Sequence, residues 1–249
     1  MNCVLETRKL CKSFGALTVA DGIDFRLEPG ARHALIGPNG AGKTTFVNML
    51  MGALAPTSGK IFLNDQDVTR TAQAARVRLG LGRTFQITTL FRSLPVLDNV
   101  ALAVAERSGV AQRLWRPACA HKEVIEESLG LLAALGLADD AAMRVADLPY
   151  GKQRLVEIAI ALGLRPKVLL LDAPAAGVPS HESEKILSNL ERLPPDIAIL
   201  IIEHDMDLVF RFAQRITVLV QGVVLVEGTP DEIARDKRVH DVYLGEAHA

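Results

Sequence analysis

The sequence predicts an α/β fold with a helical insertion, and three observations lead to that class. The runs Val168–Leu171, Ile197–Ile202 and Ile216–Val220 are short, continuous and aliphatic, as expected of parallel strands covered on both faces. A short apolar run, His33–Ile36, leads into a glycine-rich loop and then into a helical stretch that continues to about residue 51. Between about residues 96 and 164 the apolar residues recur mainly at helical spacing, which predicts the insertion.

Alternation and turn residues predict further strands on either side of these elements. Apolar and charged residues alternate along Ile23–Leu27, which is typical of a half-buried strand. Lys60–Leu63 looks like another strand, and it ends at the turn-forming pair Asn64–Asp65. Farther along the chain, Gln221–Gly222 separates two apolar runs and predicts a two-residue hairpin, with Val223–Val226 as its second strand.

The composition excludes several classes of protein. Of the 249 residues 49% are hydrophobic and only 4% aromatic, and this is enough apolar surface to form a core, which excludes disorder. The longest apolar runs are far shorter than the roughly 18–20 residues that cross a bilayer, so no membrane span is expected. Glu6 comes before any apolar segment of a signal peptide could develop, so no signal peptide is expected either. Since the net charge is −1, nucleic acid is not an expected partner. Cys3, Cys11 and Cys119 lack metal-binding spacing and are expected to be reduced thiols.

A phosphate-binding loop is the strongest motif in the chain. Residues 37–45 match G-x-x-x-x-G-K-[ST] between an apolar run and a helical stretch. The glycines let backbone N–H groups turn toward an anion, and the start of the helix adds its positive end. Lys43 is suited to reach the β- and γ-phosphates, and the hydroxyl of Thr44 is suited to Mg²⁺. The loop residues are Gly37, Pro38, Asn39, Gly40, Ala41, Gly42, Lys43, Thr44 and Thr45. The sequence therefore predicts binding of a nucleoside triphosphate.

The strand that ends at Asp172 supplies the matching carboxylate. An apolar run leads directly into this residue, an arrangement that holds Mg²⁺ opposite the phosphate-binding loop in proteins of this type. Phosphate-binding loops serve kinases, GTPases and ATPases alike, so this pair does not by itself define the activity.

The remaining motifs resemble those of one family. Leu148–Arg154 opens a helix that ends before the Asp172 strand, Gln86 follows a short apolar stretch, and His204 ends the next strand. This ordered set resembles the ATP-binding subunits of ABC transporters. Gly82–Gln86, Pro174–Gly177, the stretch from Ile202 to Met206 and the ending from Val242 to Glu246 look most like the LIV type, which serves branched-chain amino acid importers.

The resemblance covers essentially the whole chain and implies its domain organisation. It implies a P-loop NTPase with a RecA-like core, an antiparallel β subdomain and an inserted helical subdomain. Residues 1–249 are then one ATP-binding domain, with residues 1–86 and 165–249 forming the core with the β subdomain and residues 87–164 the helical subdomain.

The resemblance also implies roles for individual residues. Phe14 would stack on adenine, Gln86 would sense Mg²⁺ or the attacking water, and His204 would contact the γ-phosphate. Mg²⁺ would be held by Thr44, Gln86 and Asp172. The signature segment of one subunit would close on the ATP held by a second; its residues are Leu148, Pro149, Tyr150, Gly151 and Lys152.

Ala173 departs from the family at a critical position. A glutamate normally follows the Asp172 position and orients or deprotonates the attacking water, and a methyl group does neither. Three explanations remain open: an engineered change, a naturally degenerate site that works with a different ATPase subunit, or replacement by Glu203. The hypothesis is that this chain binds ATP and closes but hydrolyses it very slowly.

The signature segment departs as well. Pro149 and Tyr150 replace the Ser and first Gly of the common LSGGQ motif, so the serine hydroxyl is missing and backbone N–H groups near Gly151 remain as donors. The expected partners are a second ATP-binding subunit, identical or different, membrane permease subunits and, indirectly, an external substrate-binding protein.

The predicted function is an ATP-binding subunit for import of branched-chain or other amino acids or similar solutes, attached at the cytoplasmic face of the inner membrane. Two alternatives stay open: the ATPase of a lipid or lipopolysaccharide exporter, and a soluble ABC protein that acts as an ATP-gated scaffold. The stretch from Ile87 to Asp98 is the predicted contact with a membrane subunit.

Overall fold

The fold is known from a computed structural model that describes residues 3–84, 90–110 and 121–245. Two compact units are present. Unit 1 comprises Met1–Leu81, Lys167–Ala173 and Pro195–Ala249, and unit 2 comprises Gly82–Pro166 and Pro174–Pro194. These units differ from the predicted subdomains because residues 82–86, 165–166 and 174–194 fall in unit 2. The predicted division at residues 86 and 165 stays a prediction.

An antiparallel sheet in unit 1 confirms the expected β subdomain. Its order is β2-β1-β4-β5, and each neighbouring pair runs antiparallel. The strands are β1 (Leu5–Phe14), β2 (Leu17–Leu27), β4 (Ser58–Leu63) and β5 (Gln66–Asp67). In β2 the apolar residues Ile23, Phe25 and Leu27 are buried and the charged residues between them exposed, as the alternation predicts.

A six-stranded sheet forms the core. Its order is β10-β9-β3-β8-β7-β6, in which β9, β3, β8 and β7 run parallel and β10 antiparallel. Its strands are β3 (Arg32–Ile36), β6 (Leu81–Arg83), β7 (Val168–Asp172), β8 (Ala198–Ile202), β9 (Arg215–Val220) and β10 (Val223–Gly228). Every residue of β7 and β8 is buried, which confirms that the aliphatic runs are parallel strands covered on both faces.

The helices of unit 1 lie between or after these strands along the chain. They are α1 (Lys43–Met51), α2 (Gln73–Arg78), α7 (Met206–Phe212), α8 (Pro230–Arg235) and α9 (Lys237–Gly245). Phe46 and Leu50 of α1 are fully buried in the same hydrophobic cluster as Phe25 and Leu200. The phosphate-loop helix is therefore anchored through its apolar face.

Unit 2 is helical, as the sequence predicts for the insertion. It contains α3 (Val96–Arg107), α4 (Lys122–Ala134), α5 (Tyr150–Gly163) and α6 (Ser180–Glu191), with 3₁₀ turns at Ala138–Asp140 and Val145–Asp147. Helices α3, α4 and α5 pack on one another. Within the described ranges no helix is both long enough and apolar enough to cross a bilayer.

Candidate functional site

The phosphate-binding loop lies between β3 and α1, where the sequence predicts it. Gly42 is the N-cap residue of α1 in the left-handed region, with φ 99°, and among the described residues no side chain caps this helix end. The amides of the first helical turn are thus directed out of the helix, which is the arrangement that binds anions in proteins.

Lys43 is folded back over the loop. Its Nζ donates to the carbonyl oxygens of Gly37 at 2.6 Å and Pro38 at 2.8 Å, and the residue is half-buried. Thr44, the next residue, is exposed. The ammonium group is therefore held by carbonyls of the loop, on a side chain long enough to move from them to a phosphate.

Three strand ends converge at one edge of the core sheet. Ile202 of β8 is level with Leu35 of β3 on one side and with Asp172 of β7 on the other. Because these strands are parallel, the phosphate-binding loop, Asp172 and His204 all follow the same edge. Ligands of open α/β sheets bind at this edge.

Asp172 and Ala173 occupy the end of β7. Asp172 is buried, with 5% of its surface exposed. Ala173 has φ 47°, in the left-handed region, which is uncommon for a residue with a Cβ. Its N–H donates to the carbonyl of Ile202 at 2.8 Å. The backbone at position 173 is therefore held against β8, and its side chain carries no acid or base.

Glu203 and His204 follow β8 but differ in exposure. The Glu203 side chain is 1% exposed and that of His204 is 75% exposed. A Glu203 carboxylate oxygen accepts from the backbone N–H of His204 at 3.2 Å and lies 3.6 Å from His204 Nδ1. Asp205 then caps α7 by accepting from two backbone N–H groups, which fixes where the helix starts. In this conformation the imidazole faces outward and the Glu203 carboxylate does not.

Phe14 lies at the tip of the β1–β2 hairpin, opposite Leu17. The ring is 50% exposed, and Lys12 Nζ lies 4.9 Å from its centroid. The Lys12 ammonium lies over one face of the ring, and the exposed half of the residue is available for stacking on a planar group. Gln86 lies outside the described residues, as does the part of the predicted membrane-subunit contact from Ile87 to Thr89.

The signature segment starts α5 in unit 2. Leu148 is buried, Pro149 is the N-cap residue, and Tyr150 is 41% exposed at the first helical position. Lys152 pairs with Asp140 at 2.7 Å. The sequence alone did not indicate this ion pair.

Three further contacts of α5 were also missed. Arg154 lies 5.1 Å from the centroid of the Tyr150 ring and pairs with Glu157 at 2.8 Å, and both charged side chains are at least nine-tenths buried. A Cβ on Gly151 would lie 2.3 Å from Glu182 Oε2, so the side chain of Glu182 covers this glycine. A side chain at position 151 would therefore displace the Glu182 carboxylate, which is the flexible end of its side chain. The spacing of Arg154 and Glu157 could have indicated a helical ion pair, but not its burial.

The strand, glycine-rich loop and helix, together with a carboxylate at the same edge of the sheet, define a P-loop nucleotide-binding protein. Comparison with known proteins then gives the family. Residues 20–176 match the model of the ABC transporter family, and residues 223–249 match that of the branched-chain amino acid ATP-binding cassette transporter. The chain belongs to the ABC transporter ATP-binding family.

Relatives and solved structures agree with that assignment. The chain is 36% identical to the high-affinity branched-chain amino acid transport ATP-binding protein LivG of Escherichia coli, over 98% of both chains. It is 34% identical to BraF of Pseudomonas aeruginosa, which carries the same description, again over 98% of both. The ADP conformation of MJ1267, an ABC transporter cassette, superimposes with a TM-score of 0.86 at 29% identity, over 98% of this chain and 99% of that one.

Proposed function

We propose that this chain is the ATP-binding subunit of an importer for branched-chain amino acids or similar small solutes. The observation that carries the proposal is that Lys43, Asp172 and His204 follow the same edge of the core sheet, where Ile202 of β8 pairs with Leu35 of β3 and with Asp172 of β7. The match of residues 223–249 to the branched-chain amino acid type supports the substrate class, as do the descriptions of LivG and BraF.

The residues at the sheet edge suit a magnesium nucleotide. The amides of α1 and Lys43 would hold the phosphates, and Phe14 would stack on the base. Thr44 and Asp172 offer a hydroxyl and a carboxylate oxygen, the hard ligands that Mg²⁺ takes together with phosphates and waters. Among the described residues there is no cluster of three or more His, Cys, Asp or Glu that could hold a metal unaided. The ion would therefore arrive with ATP, and it would neutralise phosphate charge.

Slow hydrolysis at this site is the second part of the proposal. The methyl group of Ala173 cannot accept a proton from water, and loss of a general base lowers the rate roughly 10²–10⁴-fold. Glu203 is a poor replacement, because its side chain is 1% exposed and its carboxylate is directed to the backbone of His204. Binding of ATP would be retained, since the loop, Lys43, Thr44 and Asp172 are present.

The signature segment and the missing carboxylate together favour an assembly of several chains. The amides of the first turn of α5, in the signature segment, would face the nucleotide of a second ATP-binding subunit, identical or different. No serine hydroxyl at position 149 would assist them. ATP-driven closure would move membrane permease subunits at the cytoplasmic face, which in turn receive solute from an external binding protein. Gln86 would relay nucleotide occupancy to the permease.

Binding and assembly test this proposal separately. The variant Lys43→Ala should weaken Mg-ATP binding to the purified chain by about 2 kcal/mol or more, because it removes a charge-assisted contact to phosphate. The control variant Lys60→Ala, which changes an exposed lysine of β4, should bind Mg-ATP as the unmodified chain does. Equal affinity in the two variants would contradict the role of the loop. Affinity purification should recover permease subunits, and reconstituted vesicles should import leucine only with ATP. Recovery of lipid-export subunits, or of no membrane protein, would instead favour an exporter ATPase or a soluble scaffold.

A further inference from the structure

The turn between β9 and β10 lies against the back of the phosphate-binding loop. Gln221 and Gly222 connect Val220 to Val223 with positive φ values of 49° and 83°, which is the geometry of a type I′ hairpin turn. Gln221 is exposed and Gly222 is buried. Most two-residue hairpin turns extend into solvent, so the burial of this glycine calls for a specific reason.

Two backbone hydrogen bonds through Gly222 link three separate parts of unit 1. The N–H of Gly222 donates to the carbonyl of Ala41, inside the phosphate-binding loop, at 2.9 Å. The carbonyl of Gly222 accepts from the N–H of Asp21, in β2, at 2.8 Å. The turn is thus a bridge from the loop to the strand that begins beside Phe14.

Close backbone packing surrounds these hydrogen bonds. A Cβ on Gly222 would lie 2.5 Å from the carbonyl oxygen of Val19 and 2.8 Å from its carbonyl carbon. A Cβ on Gly42, in the loop, would lie 2.6 Å from the same oxygen. Val19 therefore approaches both glycines at distances that no side chain tolerates, and neither obstacle is a flexible side-chain end that could move aside.

We propose that Gly222 is a positioning residue for the nucleotide site: it holds the Ala41 carbonyl and β2 in one arrangement, so that the loop amides face the phosphates. This inference rests on the proposed function, since it assigns a role in ATP binding to a residue of the β9–β10 turn. Gly222 need not touch the nucleotide. Its effect comes from the shape of the loop, because anion binding by backbone amides depends on their mutual orientation.

The test compares Gly222→Ala with Gly22→Ala. Gly22 lies in β2 and also has a positive φ, 62°, but a Cβ there would meet nothing within 4 Å. Both variants introduce the cost of a left-handed alanine, and only Gly222→Ala adds a backbone collision. The probes are Mg-ATP and inorganic tripolyphosphate, which lacks a base to stack on Phe14, at a temperature where both variants are folded by circular dichroism.

Gly222→Ala should weaken binding of both probes about tenfold or more, because a displacement of the order of 1 Å at a site strongly lowers complementarity. Gly22→Ala should leave both affinities within about twofold of the original chain. Equal affinities in the two variants would overturn the proposal, and so would a loss confined to ATP, which would assign the effect to the base-stacking end. If the unmodified chain binds neither probe, the proposed function itself fails.

A measurement on the unmodified chain keeps the proposal testable if Gly222→Ala does not fold. Hydrogen exchange should show that Mg-ATP slows exchange of the Gly222 amide together with that of the loop amides from Gly40 to Thr45. Protection of the loop with no change at Gly222 would mean that the loop orders independently of the turn, and the proposal would be wrong.

Discussion

Arg76 is predicted to be a principal stabiliser of the phosphate-loop helix. Its surface is 1% exposed, and its guanidinium donates to the carbonyl oxygens of Met49 at 2.7 Å and Leu50 at 2.5 Å, at the end of α1. It also donates to the carbonyls of Thr71 at 2.9 Å and Thr69 at 3.0 Å. A cation at the carboxyl end of a helix satisfies carbonyls that lack partners inside the helix and is favoured by the helix dipole.

The cost of Arg76→Met follows from these contacts. In this variant the Met49 carbonyl still accepts from the N–H of Gly52 at 3.1 Å, whereas the carbonyls of Leu50, Thr69 and Thr71 lose the guanidinium as their donor. At about 1–3 kcal/mol for each acceptor left without a donor, three acceptors give about 3–9 kcal/mol, and the loss is nearer the lower end because the contacts to Thr69 and Thr71 are only partly buried. Burial lowers the pKa of Arg76, which reflects a desolvation cost that the methionine avoids, so we expect a net destabilisation of about 2–4 kcal/mol.

Urea unfolding followed by far-ultraviolet circular dichroism measures this difference. The matched control is Arg78→Met, two residues along the same helix at an exposed position, and it should cost less than about 0.5 kcal/mol. Arg76→Lys should be intermediate, because an ammonium cannot reach all four carbonyls. A cost for Arg76→Met below about 1 kcal/mol, or equal to that of the control, would refute this reasoning.

Three further perturbations follow from buried or strained groups. Burial lowers the pKa of His33 to about 4, although Glu227 opposes the shift. The unfolded chain therefore binds this proton more readily, so the free energy of unfolding should reach its maximum contribution from His33 above about pH 6.5 and fall by about 3 kcal/mol between pH 6.5 and pH 4. The variant His33→Asn should flatten this pH profile. Arg154→Met should cost about 3–5 kcal/mol in urea unfolding because it leaves Glu157 buried, and adding Glu157→Leu should recover most of that loss; an additive double variant would contradict the pairing. Ala173→Gly should raise the thermal unfolding midpoint by relieving roughly 1 kcal/mol of left-handed strain, and a lower midpoint would argue against the φ of 47°.

Local signals explain why much of the architecture could be predicted. Strand burial follows from aliphatic runs, as in Val168–Leu171, and the two-residue hairpin follows from Gln221–Gly222 between apolar residues. The phosphate-binding loop is likewise encoded in a contiguous segment, residues 37–45. Each of these signals lies within about ten residues, so the pattern and the structure it specifies are adjacent in the chain.

The contacts that sequence analysis missed join distant segments. Arg76 has the sequence context of a surface arginine on a short helix, yet its partners include α1. His33 Nε2 lies 2.8 Å from Thr217 Oγ1, which donates to Glu227 at 3.2 Å, so the imidazole must be the donor to that hydroxyl. The bond between Gly222 and Ala41 is of the same kind. Only the fold brings such groups together.

The rate of ATP hydrolysis at this chain's own site tests the proposed function most directly. The measurement compares the chain with Ala173→Glu in the assembled transporter, and a sample with Lys43→Ala supplies the background from the other ATPase site. We expect Ala173→Glu to raise turnover roughly 10²-fold or more while the affinity for ATP stays within a few-fold, because it restores only the missing base. Equal turnover with and without the glutamate would contradict the assignment of slow hydrolysis to Ala173.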